Sequence, residues 1–161
     1  MGMKKEMKKK NNKGFSLVEL IVVIAIMAVL MVVLAPAMLR YVEKTRVQKD
    51  ESAVSEAANA AELALADEAI YTKAASSKYV VVTVTDKTDI TASMGSAITG
   101  GTAFADLATD VKATVGNQIE FASKEHKGKT ATIVLEYSDT RNAYILYNSS
   151  SDGYTNGVKW N

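Results

Sequence analysis

The sequence predicts an α+β fold: a long N-terminal helix, transmembrane in one half and amphipathic in the other, packed against a mainly antiparallel sheet of about four strands. Three observations carry that expectation. An unbroken apolar run extends from Leu20 to Leu39. Beyond it, Arg40 to about Tyr71 contains neither glycine nor proline and keeps a helical apolar period. After Ser76-Ser77 the period changes, and β-branched residues gather into short runs.

The chain opens on lysine. Lys4, Lys5, Lys8, Lys9, Lys10 and Lys13 stand against Glu6 alone, so residues 1–14 carry +5. The whole chain carries a formal +1, which leaves −4 for the remainder. A basic block directly before an apolar span is retained in the cytoplasm, so the C-terminal part is expected outside. The plainer reading of the lysines is a solvated tail. A net acidic remainder argues against a general nucleic-acid binder, which needs clustered Lys and Arg.

Leu20 to Leu39 matches the roughly 20 residues that a helix needs to cross a bilayer. Glu19 sits at its start with no cation inside the run. A bare carboxylate in hydrocarbon is costly, and such residues are usually paired and functional. Ser16-Leu17-Val18-Glu19 also fits a capping box, in which Glu19 reaches back to the backbone of its own helix start. Both roles are compatible, since helix starts favour acids. Pro36 removes a backbone donor and crowds the preceding turn, which predicts a kink.

Taken together, Lys13-Gly14-Phe15-Ser16-Leu17-Val18-Glu19 and the apolar run resemble the prepilin signature of type IV pilins, over roughly residues 4 to 40. The resemblance implies the pilin fold and three regions: a cleaved leader 1–14, a transmembrane and filament-core helix 15–39, and an extracytoplasmic globular domain 40–161. It implies cutting between Gly14 and Phe15 by a prepilin peptidase that also methylates the Phe15 amine. Glu19 would then neutralise the Phe15 amine of a neighbouring subunit, and Pro36 would loosen as the subunit leaves the bilayer. The implied partners are further copies of the chain, the peptidase, the assembly platform with its ATPase, and the membrane before assembly. The implied work is adhesion, motility or biofilm formation on the cell surface. Many Gram-negative pilins close a C-terminal loop with a disulfide; this chain has no cysteine, which fits a Gram-positive source.

Three other readings stand beside that one. A minor pilin or pseudopilin of a type II secretion or DNA-uptake apparatus would share residues 14–40. A membrane-tethered binding protein would never polymerise. An ordinary secretory signal would use Ala35-Pro36-Ala37 as its cleavage triplet and leave a chain beginning at Met38, although Glu19 and the proline both speak against it.

The remaining elements follow in order. Val47, Val54, Ala58, Ala61, Leu65 and Ala69 form one helical stripe, and Glu43, Lys44, Lys49, Glu51, Glu56, Glu62 and Glu68 occupy the other faces. A single helix from Ser16 to Tyr71 would be about 80–90 Å long. Tyr79 to Thr85 reads as a strand and 86–101 as a loop ending in Gly100-Gly101. Phe104, Leu107, Val111 and Val115 predict a short helix closed by Gly116. Strands are then expected at Gln118–Ala122, Thr130–Tyr137 and Asn142–Tyr147, with turns at Lys127-Gly128-Lys129 and Asp139-Thr140-Arg141. Ile133, Leu135, Tyr137, Tyr144 and Leu146 would share one face under the alanine stripe. Val158 to Trp160 reads as a last edge strand, with Trp160 anchoring the tail.

Little in the outer region speaks of catalysis. His126, the single histidine, is expected in an exposed turn. Asp86, Asp89, Asp106 and Asp110 read as solvated carboxylates, since their spacing matches no EF-hand loop. Gly95, Gly100 and Gly101 make no phosphate cradle, and Asn148-Ser149-Ser150 reads as a plain turn. No catalytic residue, metal or cofactor is expected.

Overall fold

A computed structural model of the chain describes residues 14–161. The lysine-rich leader therefore lies, except for Gly14, outside the described residues. The fold is α+β, with a long N-terminal apolar helix and an antiparallel sheet. The chain divides into two units, one ending at Tyr41 and the other running Val42–Asn161. The first helix, α1 (Leu17–Ala64), supplies residues to both.

In the first unit, α1 continues through Pro36 without a break in its helical assignment. No described residue there is buried. From Leu17 to Leu39, seventeen large apolar side chains are each 46–75 % exposed. They lie all round the helix, so no polar face is left to meet water.

In the second unit, α1 presents Val54, Ala58 and Ala61 of the predicted stripe to the core, joined by Ala57 and Ala60. Leu65, just past its end, is buried with them, whereas Val47 is only half-buried and outside the core. The stripe does not reach Ala69, which is exposed. The expected single helix to Tyr71 ends at Ala64, because the next amides bond to residues three back: Ala66 to Leu63 and Asp67 to Ala64, both at 3.1 Å. Asp67 is extended, and its carboxylate accepts from the Ala69 amide at 2.8 Å, capping a second helix, α2 (Glu68–Ala74). Aspartate prefers such a cap to a helix interior. The new phase buries Ile70 and Ala74 instead.

The sheet is antiparallel throughout. Its strands are β1 (Tyr79–Thr85), β2 (Thr91–Gly95), β3 (Thr102–Ala103), β4 (Thr130–Ser138), β5 (Ala143–Leu146) and β6 (Val158–Trp160). Their order is β3-β2-β1-β4-β5, with β6 paired to the other end of β4. Val82 lies opposite Ala92 on one side and Ile133 on the other. One sheet face buries Val80, Val82, Val84, Ile133, Leu135 and Tyr144 against the alanine stripe and against α3 (Ala105–Val115). The opposite face buries Val81 and Val134 beneath Tyr154. Burial on both faces explains why β1 is a continuous valine run rather than an alternating one.

Two expectations fail here. The stretch 86–101 is not a plain loop, since it contains β2. Thr91-Ala-Ser-Met-Gly has weak strand character, and the free edge of β1 recruits it. Close approach helps: a Cβ on Gly101 would stand 2.9 Å from the Met94 carbonyl oxygen. Gln118–Ala122 is not a strand, and only Gln118 makes a bridge, to Asp89. Further along, its amides are taken by carboxylates rather than by a neighbouring strand.

Candidate functional site

Gly14 and Phe15 precede the helix in non-helical backbone. A Cβ on Gly14 would meet nothing within 4 Å, and Phe15 is 89 % exposed. Among the described residues, nothing covers the Gly14–Phe15 peptide. The helix start is tied down at once: the Leu20 amide bonds to the Ser16 carbonyl at 3.2 Å. Glu19 Oε2 accepts from the Ser16 amide, also at 3.2 Å, which is the reaching-back half of the capping box. Glu19 is exposed, and among the described residues it has no ion-pair partner. Its carboxylate therefore spends one oxygen on its own helix and finds no counter-charge among the described residues.

An 18-residue window of α1 reaches a mean hydropathy of 3.2 with none of it buried. Transferring such side chains out of water is worth about 1.5–3 kcal/mol each when complete. The segment calls for lipid or another apolar surface.

A second constellation lies in the outer unit, and sequence reasoning missed it. Asp50 of α1 is 2 % exposed. Its Oδ1 accepts from the Ala122 amide at 2.8 Å; its Oδ2 accepts from the Ser123 amide at 2.9 Å and the Ser123 hydroxyl at 2.5 Å. Burial works to raise the Asp50 carboxyl, but these donors and the adjacent His126 outweigh it and hold the group below the ordinary carboxylate range. One helix residue thus fixes the segment before β4. Glu43, two turns earlier, accepts from the Lys124 amide.

Asp86 repeats the device from the end of β1, accepting from the Phe121 amide at 2.9 Å and the Gly128 amide at 2.8 Å. The Phe121 bond lowers its carboxyl most, partial burial opposes, and the Gly128 bond adds to the lowering. Asp86 is therefore a backbone clamp rather than a solvated carboxylate. Asp89 and Asp106 remain exposed, in ion pairs with Lys112 and Lys73.

His126 also departs from expectation. It is 3 % exposed, not an open turn residue. Its ring stacks on Trp160, with centroids 3.7 Å apart and planes 3° from parallel, and meets the edge of Phe121. Trp160 does anchor the tail, and it uses His126 and Phe121 to do so. Asp50, Ser123 and His126 are not arranged as a hydrolytic triad: the Ser123 hydroxyl donates to Asp50 and accepts from the His126 amide, so the imidazole holds no nucleophile. The signal that could have found the site is Asp50 itself, an acid in phase with Val54 and Ala57 on the buried face.

Residues 9–35 match the family described as the prokaryotic N-terminal methylation motif. That match contains Gly14, Phe15, Glu19 and most of the apolar run. No curated protein and no solved structure matches the chain.

Proposed function

We propose that this chain, a type IV pilin-like prepilin by its N-terminal methylation motif, is a structural subunit that polymerises into a surface pilus through residues 15–39. One observation carries the reading: a methylation motif opens directly into an apolar helix whose first acid has no ion-pair partner among the described residues and whose apolar side chains are exposed as far as Leu39. Prepilin peptidase cuts between Gly14 and Phe15 and methylates the new amine. The helix rests in the membrane as a single span until assembly. A bundle of like helices is then an alternative home for the same apolar surface.

Glu19 meets the Phe15 amine of an adjoining subunit in that bundle and sets the axial register. A buried charge pair adds little stability, but leaving one member unpaired is costly, so misregistered subunits are rejected. Pro36 leaves a carbonyl without its helical donor and gives the span a place to bend on entering the filament. The outer sheet and the segment 86–116 form the pilus surface, the part available for adhesion, motility or biofilm contacts.

N-terminal sequencing and intact mass of sheared surface material test the reading together. The expected product begins with N-methylated Phe15; a mature chain that retains residues 1–14 overturns it. Glu19→Gln keeps a capping side chain but removes the charge. We expect it to abolish or severely weaken assembly, and normal pili from this variant would reduce Glu19 to a helix cap. The same motif serves minor pilins and pseudopilins, and abundance separates them: long fibres on overexpression mark a major subunit.

A further inference from the structure

Asp50 carries a buried negative charge whose three hydrogen bonds come from neutral donors. Among the described residues, the one basic side chain within ion-pair distance is His126, with Nδ1 3.6 Å from Oδ2. That separation is too long for a hydrogen bond. His126 Nδ1 is itself buried and has no hydrogen-bond partner among the described residues. Two buried polar groups thus face each other across a gap that neither closes, and of the two it is the unpartnered Nδ1 that is costly as it stands.

The ring has little freedom to turn away. Trp160 lies flat against one face, Phe121 stands against it edge-on, and the His126 amide is tied to the Ser123 hydroxyl at 3.1 Å. The charged groups around it are few. From α1 come Asp50 and, further along, Glu43 with its ion-pair partner Arg46. From β6 comes the uncharged indole of Trp160. Within the segment itself Glu120, Lys124, Glu125, Lys127 and Lys129 are exposed, and from the end of β1 the Asp86 carboxylate is already engaged by the Phe121 and Gly128 amides. A proton arriving on His126 would therefore act chiefly on Asp50.

We propose that His126 and Asp50 form a proton-operated latch, in which uptake of a proton by the imidazole draws Nδ1–H onto Asp50 Oδ2 and clamps the 118–129 segment to α1. Imidazole is the side chain suited to this, since its charge changes between about pH 5 and 8. The protonated ring donates from both nitrogens, and a bond between two ions is about twice as strong as a neutral one. The indole face adds to it by attracting the imidazolium. In mildly acid surroundings the segment gains this further tie to α1; in alkaline ones it keeps the bonds of Ala122 and Ser123 to Asp50, of Lys124 to Glu43, and of Phe121 and Gly128 to Asp86.

The chain has one histidine and one tryptophan, so both can be followed without ambiguity in the full chain in detergent. The His126 ring resonance and Trp160 emission are recorded from pH 8 to 5. Amide exchange at Ala122 and Ser123 is measured at both limits and corrected for its intrinsic pH dependence. We expect protection at the two amides to rise about tenfold between pH 8 and pH 5, with Trp160 emission changing along the same curve. His126→Gln should keep the fold and lose the pH-dependent part of the protection. Equal or weaker protection at pH 5 overturns the latch, as does a ring that fails to titrate or an unchanged pH response in His126→Gln. Should that variant not fold, the wild-type comparison between pH 8 and 5 decides alone.

Discussion

Asp50 accepts its hydrogen bonds from residues 72 and 73 positions away, so its carboxylate closes one of the longest loops in the outer unit. Asp50→Asn turns one oxygen into a donor facing amides that also donate. Hydrogen bonds to a charged group contribute about 1.5–3 kcal/mol each, and part of that is recovered by rearrangement. We expect a net loss of about 2 kcal/mol and a drop of roughly 10 °C in the midpoint of a thermal melt. The same residue gives a pH dependence. Asp50 and Asp86 both titrate below the ordinary range when folded, so their stabilisation is complete above an unfolded value of about 4. It is lost as pH falls through their folded values. Urea midpoints should therefore decline below about pH 4, and Asp50→Asn combined with Asp86→Asn should flatten that decline. Gly157 shows a different constraint. With Asn156 it forms a two-residue turn, φ being +48° and +77°, between the reciprocal hydrogen bonds of Thr155 and Val158 at 3.0 Å. A Cβ at Gly157 would stand 2.7 Å from Leu146 Cδ2. Gly157→Ala should cost about 2–3 kcal/mol, measured by urea denaturation.

Among the elements, the junction between α1 and α2 depends on a single cap. Asp67→Ala removes the acceptor of the Ala69 amide and should cost about 1 kcal/mol by chemical denaturation, within the usual range for a lost N-cap. It should not fuse the two helices, because Ile70 and Ala74 are already buried in the new phase. The junction also shows where periodicity stops being informative. A stripe continued to Ala69 fits the sequence as well as the observed break, since the choice is made by where Ile70 finds room. β1, β4, β5, β6 and α3 were legible because each carries its own period or its own β-branched run. β2 was not, because it owes its strand state to pairing with β1 rather than to its residues. Gln118–Ala122 has the alternation of a strand, yet its amides at Phe121 and Ala122 are taken by Asp86 and Asp50. The methylation motif is local and could be read whole. The Asp50–His126 pair is long-range, and a polar neighbourhood in the sequence hid a histidine that Trp160 and Phe121 bury.

For the whole molecule, the division at Tyr41 and Val42 separates two solvent requirements. Every buried residue among those described lies at Asp50 or later. The apolar span therefore contributes nothing to the core that holds the sheet. In the outer unit the exposed large apolar residues are Val42 and Leu63, too scattered to make an adhesive patch. A fragment beginning at Val42 should then fold without lipid or detergent, remain soluble and melt cooperatively, as monitored by circular dichroism and amide NMR. Its core, its two aspartate clamps and its Trp160 anchor are all retained. The first turns of its shortened helix should fray, because Glu43 to Lys124 is the first tie to the rest of the unit. Assembly should fail in the same fragment, since it lacks Phe15, Glu19 and the apolar helix. A fragment that aggregates or gives collapsed, undispersed spectra would show that the span is needed to fold the outer unit. A fragment that joins pili would show that the outer surface alone can polymerise. The expected pairing of a folded domain with lost assembly would place stability and polymerisation on separate stretches of one helix.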